Sequence, residues 1–215
     1  MEPTRPARCL IWRDTNLALA GRLISRPFGG SATAATHGVL PVNFQLESAI
    51  AILKTTPSIL HAWLDDLPQE WVLSKDGDDS WSPFDVLGHL IHGEKTDWIP
   101  RAEIILSSSS ERRFPSFDRF AMFEESKGQS VQDLLMAFEG LRSLSIQRLR
   151  ALNLSADDIE KTGIHPTFGT VTLRQLLSTW VAHDLNHLGQ IAEVMARQYK
   201  GEVGPWKEFL AILDG

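Results

Sequence analysis

The chain has 215 residues, 43% hydrophobic and 22% charged, which suits one soluble domain with a full hydrophobic core, with or without a tail. A net charge of −6 and a pI near 5.6 argue against nucleic acid as a main partner. No apolar run approaches the roughly 18 residues of a transmembrane helix. A single cysteine, Cys9, excludes an intramolecular disulfide and a cysteine-rich metal site, and the simplest compartment is the reducing cytoplasm.

Residues 1–41 stand apart. They hold five arginines (Arg5, Arg8, Arg13, Arg22, Arg26) against Glu2 and Asp14, a balance of +3, which leaves 16 basic and 25 acidic residues, or −9, for the rest. Within them RPFGGSATAATHG has no sustained period and reads as disordered. Their arginine-rich, acid-poor composition superficially matches an organelle transit peptide; the simpler reading is a disordered extension or over-extended start without function. The folded domain is expected over 42–215.

From Val42 onward the pattern is helical. VNFQLESAIAIL places Phe44, Leu46, Ile50 and Leu53 at near-helical spacing, and Pro57 is expected to interrupt before SILHAWLDDL resumes as a second helical piece or a continuation. LPQEWVLSKDGDDSW reads as a loop. Ser82-Pro83-Phe84-Asp85 is a helix start, with serine to cap, proline at the first position and aspartate three residues after the cap. That helix runs through VLGHLIHGEKTDWIPRAEIIL and should kink at Pro100.

After the loop SSSSERRFPSFDRF, Ser130-Val131-Gln132-Asp133 starts a helix through LLMAFEGLRSLSIQRLRAL. A connection with Gly163, Pro166 and Gly169 leads to Thr172, which can cap LRQLLSTWVAHDLNHLGQIAEVMARQY; WKEFLAIL reads as a short closing helix. The fold expected is all-α, a four-helix bundle with an extra C-terminal helix, whose sites are built from side chains on facing helices.

VAHDLNHLGQI places His183 and His187 four residues apart. Random placement of seven histidines gives about 0.2 such pairs per chain, so spacing alone says little. Orientation says more. Leu173, Leu176, Leu177, Trp180, Leu188, Ile191, Val194 and Met195 define one apolar stripe, and both histidines fall within about 60° of its centre. Buried imidazoles need partners. Spacing and orientation leave two readings open, a metal site and hydrogen-bonded core histidines. A catalytic site of this kind usually has three protein ligands. The best third candidate is His89 in LGHLIHGEKTDW, at the margin of its own stripe; His92, one turn on, lies nearer the polar side. Three histidines would suit Zn²⁺ or Ni²⁺.

WSPFDVLGHLIHGEKTDWIPR, followed by GIHPTFGTVTLRQLLSTWVAHDLNHLGQI, resembles the DinB/YfiT-like superfamily of metalloenzymes, over about residues 42–213. The resemblance implies an up-down-down-up bundle, a divalent metal held by His89, His183 and His187, and homodimerisation. Members with known chemistry are thiol-dependent S-transferases and isomerases, so a low-molecular-weight thiol enters as a possible cofactor.

A three-histidine metal can activate water for hydrolysis or bind a small thiol as thiolate. Either reaction gains from a carboxylate that moves protons or orients a ligand histidine. Glu94 falls on the apolar side of its helix, and Asp184 lies within about 40° of the stripe centre. The competing role for each is an interhelix ion pair, for example with Arg101. His165 in GIHPTFG reads as a surface-turn histidine, with the pocket mouth as the alternative, and the tryptophans read as core packing. There is no GxGxxG, GK[ST]-terminated phosphate loop, GxSxG or HExxH.

The function these features point to is a divalent-metal-dependent enzyme acting on a small-molecule substrate, by S-transfer or hydrolysis. The competing class is a stress-related binding protein or dimeric interaction module without turnover, its metal structural or absent. Neither involves nucleic acid or a membrane.

Overall fold

The structure, a computed structural model, describes residues 43–78 and 80–214; the N-terminal extension expected over 1–41, with Cys9 and His37, lies outside the described residues. In chain order the elements are α1 (Leu46–Leu64), α2 (Gln69–Leu73), α3 (Pro83–Thr96), α4 (Trp98–Leu106), α5 (Ala121–Glu125), α6 (Val131–Ala151), α7 (Ala156–Glu160), the antiparallel hairpin β1 (Thr162–His165) and β2 (Gly169–Thr172), and α8 (Leu173–Arg197). The bundle is built from α1, α3 with its continuation α4, α6 and α8. α1 packs on α6 and α8, and α3 packs on the same two.

The anticipated starts are reciprocal caps. Ser82 Oγ accepts from Asp85 N at 3.1 Å while Asp85 Oδ2 accepts from Ser82 N at 3.0 Å, and Ser130–Asp133 and Thr172–Gln175 repeat the arrangement. Each such cap is worth about 1 kcal/mol. The helix carrying His89 divides at Asp97, where the backbone turns to φ −110° and ψ −72°. Pro100 therefore stands in the first turn of α4, where its missing N–H has no intrahelical partner to lose.

Pro57 does not interrupt α1, and SILHAWL continues the helix to Leu64. Pro57 lies buried inside it. A proline there leaves the carbonyl four residues back without its donor, and in this chain that carbonyl, Leu53 O, accepts from Arg142 Nη1 at 2.8 Å. A side chain 89 positions away supplies what the proline lacks. The C terminus also differs: WKEFLAIL forms 3₁₀ turns, Gly204–Phe209 and Ala211–Leu213, rather than an α-helix. Only Leu213 in them is buried, so no apolar face holds a longer helix in place.

The core has two apolar clusters with a polar layer between them. One contains Leu53, Trp98, Ile146, Leu177 and Trp180; the other contains Leu60, Leu90, Ile91, Phe138 and Leu188. On each bundle helix the change of cluster brackets a buried polar side chain: Thr56 on α1, Glu94 on α3, Arg142 on α6, and Asp184 and His187 on α8. No helix among the described residues is long and apolar enough to cross a membrane.

Candidate metal centre

His89, His183 and His187 meet in this layer. Their Nε2 atoms converge: His89 Nε2 lies 3.0 Å and His187 Nε2 3.1 Å from His183 Nε2, and one ring nitrogen from each lies within 4.8 Å of the others. His89 and His187 are buried and His183 is half-buried. His187 Nδ1 donates to Gln190 Oε1 at 2.9 Å, which leaves its Nε2 as a bare lone pair facing the cluster. A hydrogen on His183 Nε2 can point at only one of its two neighbours. A cation among the three can accept a lone pair from each.

Burial is the main reason these rings resist protonation. It pushes His89 down to about 3, helped by His187 and His92. Burial, then His187, His89 and Arg142, hold His183 well below the ordinary histidine value. His187 is also lowered by burial, against the opposing pull of Gln190 and Asp184. All three are neutral at pH 7, the form a metal ligand requires. His89 Nδ1 and His183 Nδ1 are buried without a hydrogen-bond partner among the described residues. His92 stays out of the cluster; its Nδ1 pairs with Glu125 Oε1 at 2.8 Å.

Glu94 and Asp184 share a partner, Arg142, which motif and spacing did not single out. Arg142 donates from Nε and Nη2 to Glu94 Oε1 at 3.1 and 2.8 Å, and from Nη1 and Nη2 to Asp184 Oδ2 and Oδ1 at 2.5 and 3.1 Å. Trp180 Nε1 donates to Glu94 Oε1 at 3.1 Å, and Thr56 Oγ1 to Asp184 Oδ2 at 2.7 Å. With Leu53 O this clasp ties together all four bundle helices. Burial alone would lower the Arg142 pKa, but Asp184 and Glu94 outweigh it and hold it above the usual arginine value. Arg101, the ion-pair partner suggested for these acids by the sequence, pairs instead with Asp97, four residues earlier on its own chain segment.

A cavity of about 880 Å³ opens over the cluster, with His89 and His183 in its wall. The hairpin and the preceding loop shape it. Phe114 N donates to Ile164 O at 2.9 Å and Ile164 N to Arg112 O at 2.7 Å, so the loop runs alongside β1. Gly163 is required there, because a Cβ would come within 2.6 Å of the Phe114 ring and 2.9 Å of Ile105. His165 lies in the cavity wall, the alternative raised for it by the sequence, with Trp81, Trp98 and Phe117.

This bundle with a buried histidine cluster is a DinB-type architecture. Over residues 52–191 the chain matches the family model of the DinB superfamily, and it belongs to that superfamily. Among solved structures it is similar to YfiT from Bacillus subtilis, described as "a probable metal-dependent hydrolase with an unusual four-helix bundle topology". The two share 20% identity over 74% of this chain and 92% of that one, with a TM-score of 0.62. It is also similar to TT2238, described as a four-helix bundle protein, at 17% identity over 66% of this chain and 94% of that one, with a TM-score of 0.45. The likeness to YfiT establishes the four-helix-bundle fold. No curated protein matches the chain.

Proposed function

We propose that the chain is a divalent-metal-dependent enzyme acting on a small molecule, with the cation held by His89, His183 and His187. The convergence of three neutral imidazoles through Nε2, two of them in the wall of a large cavity, carries this reading. The donor set suits Zn²⁺ or Ni²⁺. When bound, such a cation lowers the pKa of a coordinated water or thiol. Gln190 fixes the His187 tautomer. Asp184 is close enough to raise the His187 pKa, against the larger effect of burial, and it shares Arg142 with Glu94. Both carboxylates thus serve as positioning groups that hold α3 and α8 in register, and two acids against one arginine suit a neighbouring cation.

Hydrolysis is the favoured reaction class, and the description of YfiT as a metal-dependent hydrolase on the same fold supports it. Thiol-dependent S-transfer is the second reading. The cavity of about 880 Å³ favours it, because that volume admits a thiol and an electrophile together. One experiment separates the two. Metal-loaded protein is assayed on 4-nitrophenyl esters without thiol, and on 1-chloro-2,4-dinitrobenzene with and without added cysteine. The expected outcome is turnover in one arm that is lost on chelation and in His183→Ala, and regained when metal returns to the chelated wild type. Turnover indifferent to chelation, or none in either arm, contradicts the reading.

A further inference from the structure

The cavity above the histidines holds a second set of donors that the metal centre does not use. Arg101 lines it and is only 6% exposed. An arginine presents five N–H donors and stays charged. Here Nε faces Asp97, and the guanidinium lies 5.2 Å from the centre of the Phe114 ring. Among the described residues the guanidinium has the ion pair with Asp97 and no hydrogen bond of regular geometry, and Nε is buried without one. A buried guanidinium with an open edge is costly unless something in the cavity completes it.

His165 also packs against Phe114, its ring edge-on at 6.2 Å, close enough to Arg101 to feel its charge. Its Nδ1 accepts from Thr167 N at 3.1 Å and from Phe168 N at 3.2 Å, so the imidazole proton sits on Nε2 and that edge is a donor. Burial, and then Arg101, lower its pKa, which keeps the ring neutral in this tautomer. Of the carboxylates in the wall, Asp97 is ion-paired with Arg101, and Asp118, which is exposed to solvent, accepts from Phe120 N at 3.0 Å. Much of the wall between these donors and the histidines is aromatic, including Trp98 and Phe117.

We propose that this cavity takes a small molecule carrying an anionic oxygen group, carboxylate or phosphate, on an apolar body. The Nη edge of Arg101 and Nε2–H of His165 hold the oxyanion. The fork of an arginine matches two oxygens of either group, which makes it a stronger and more directional anchor than a lone ammonium. Only the direction in which the ligand's other end points rests on the metal-centre reading; the anion site itself does not.

The test is equilibrium binding of 3-phenylpropionate, phenyl phosphate and neutral 3-phenylpropionamide to the full chain. Binding is followed by tryptophan fluorescence, since Trp81 and Trp98 line the cavity. The wild type is expected to bind at least one anion about tenfold or more tightly than the amide. The tighter of the two anions identifies the oxyanion. Arg101→Gln should abolish that preference and His165→Gln should reduce it several-fold, with circular dichroism verifying the fold of each. Equal binding of anions and amide by the wild type overturns the proposal without reliance on any variant, as does failure of both anions to bind. A preference that survives in folded Arg101→Gln but vanishes in His183→Ala places the anion on the metal, which overturns the Arg101 site and leaves the metal centre standing. A preference that needs Arg101 in a protein that binds no metal has the opposite meaning.

Discussion

Two buried polar clusters share helices α3 and α8 and have opposite bonding. The clasp of Glu94, Arg142 and Asp184 is closed around its cation: all five N–H donors of Arg142 are taken, and Trp180 and Thr56 add bonds to the acids, leaving Glu94 Oε2 as its one buried oxygen without a partner among the described residues. One turn away, His89, His183 and His187 aim lone pairs at one another, two of their Nδ1 atoms lack partners, and a cavity opens above them. Burial is common to both and does not distinguish a structural cluster from a functional one. What distinguishes them is whether the chain itself supplies the partners. Where it does, the cluster holds helices together; where it does not, the proposed metal would complete it.

Removing the cation of the closed cluster should have the largest effect. Arg142→Met leaves two buried carboxylates unpaired and should cost about 3–5 kcal/mol in denaturant unfolding. Replacing Glu94 and Asp184 by Gln and Asn in the same chain should recover a large part of that loss. His183→Ala in metal-free protein should cost distinctly less than Arg142→Met, because it opens no ion pair. If the two single variants are equally destabilising, the contrast between closed and open clusters fails.

Acid should separate the clusters next. The three imidazoles titrate below 6.5 in the folded chain, His89 at about 3, whereas in the unfolded chain each takes a proton near 6.5. Between those values the unfolded state binds more protons, so acidification favours unfolding. Metal-free protein should therefore lose stability as the pH falls from 6.5 toward 3, with a shallower slope in His183→Ala. Arg142, held above its ordinary value, stays charged throughout and adds no slope. A wild-type stability that rises on acidification across this window contradicts the assignment.

The smallest of these effects concerns one hydrogen bond. Gln190→Leu removes the acceptor that fixes the His187 tautomer and should weaken metal binding about tenfold or more by competition titration, with the fold intact. Unchanged affinity would detach Gln190 from the site.

Local chemistry was legible in the sequence where it depended on neighbours in the chain. Ser82, Ser130 and Thr172 announced their helices because a cap and its partner lie three residues apart. His183 and His187 were legible as inward-facing by periodicity, and His89 followed from the need for a third imidazole. Whether Pro57 broke the helix could not be decided, because its remedy is Arg142, on another helix. Arg142 itself was hidden among the arginines of α6, yet a signal existed. It falls in step with Leu135, Phe138, Ile146 and Leu149, which are buried, and two inward carboxylates on other helices required a buried cation. The donor edge of His165 could not be read, since it depends on a hairpin turn returning Thr167 N and Phe168 N to Nδ1.

The central claim is that the open cluster is a metal centre. Its most direct test is metal content of protein purified without chelators, measured for the wild type and for His89→Ala, His183→Ala and His187→Ala. The account predicts about one divalent ion per chain in the wild type, Zn²⁺ or Ni²⁺, and its loss from all three variants while each remains folded. A wild type that holds no metal and takes up none on titration, or a His89→Ala that keeps full occupancy, would contradict it.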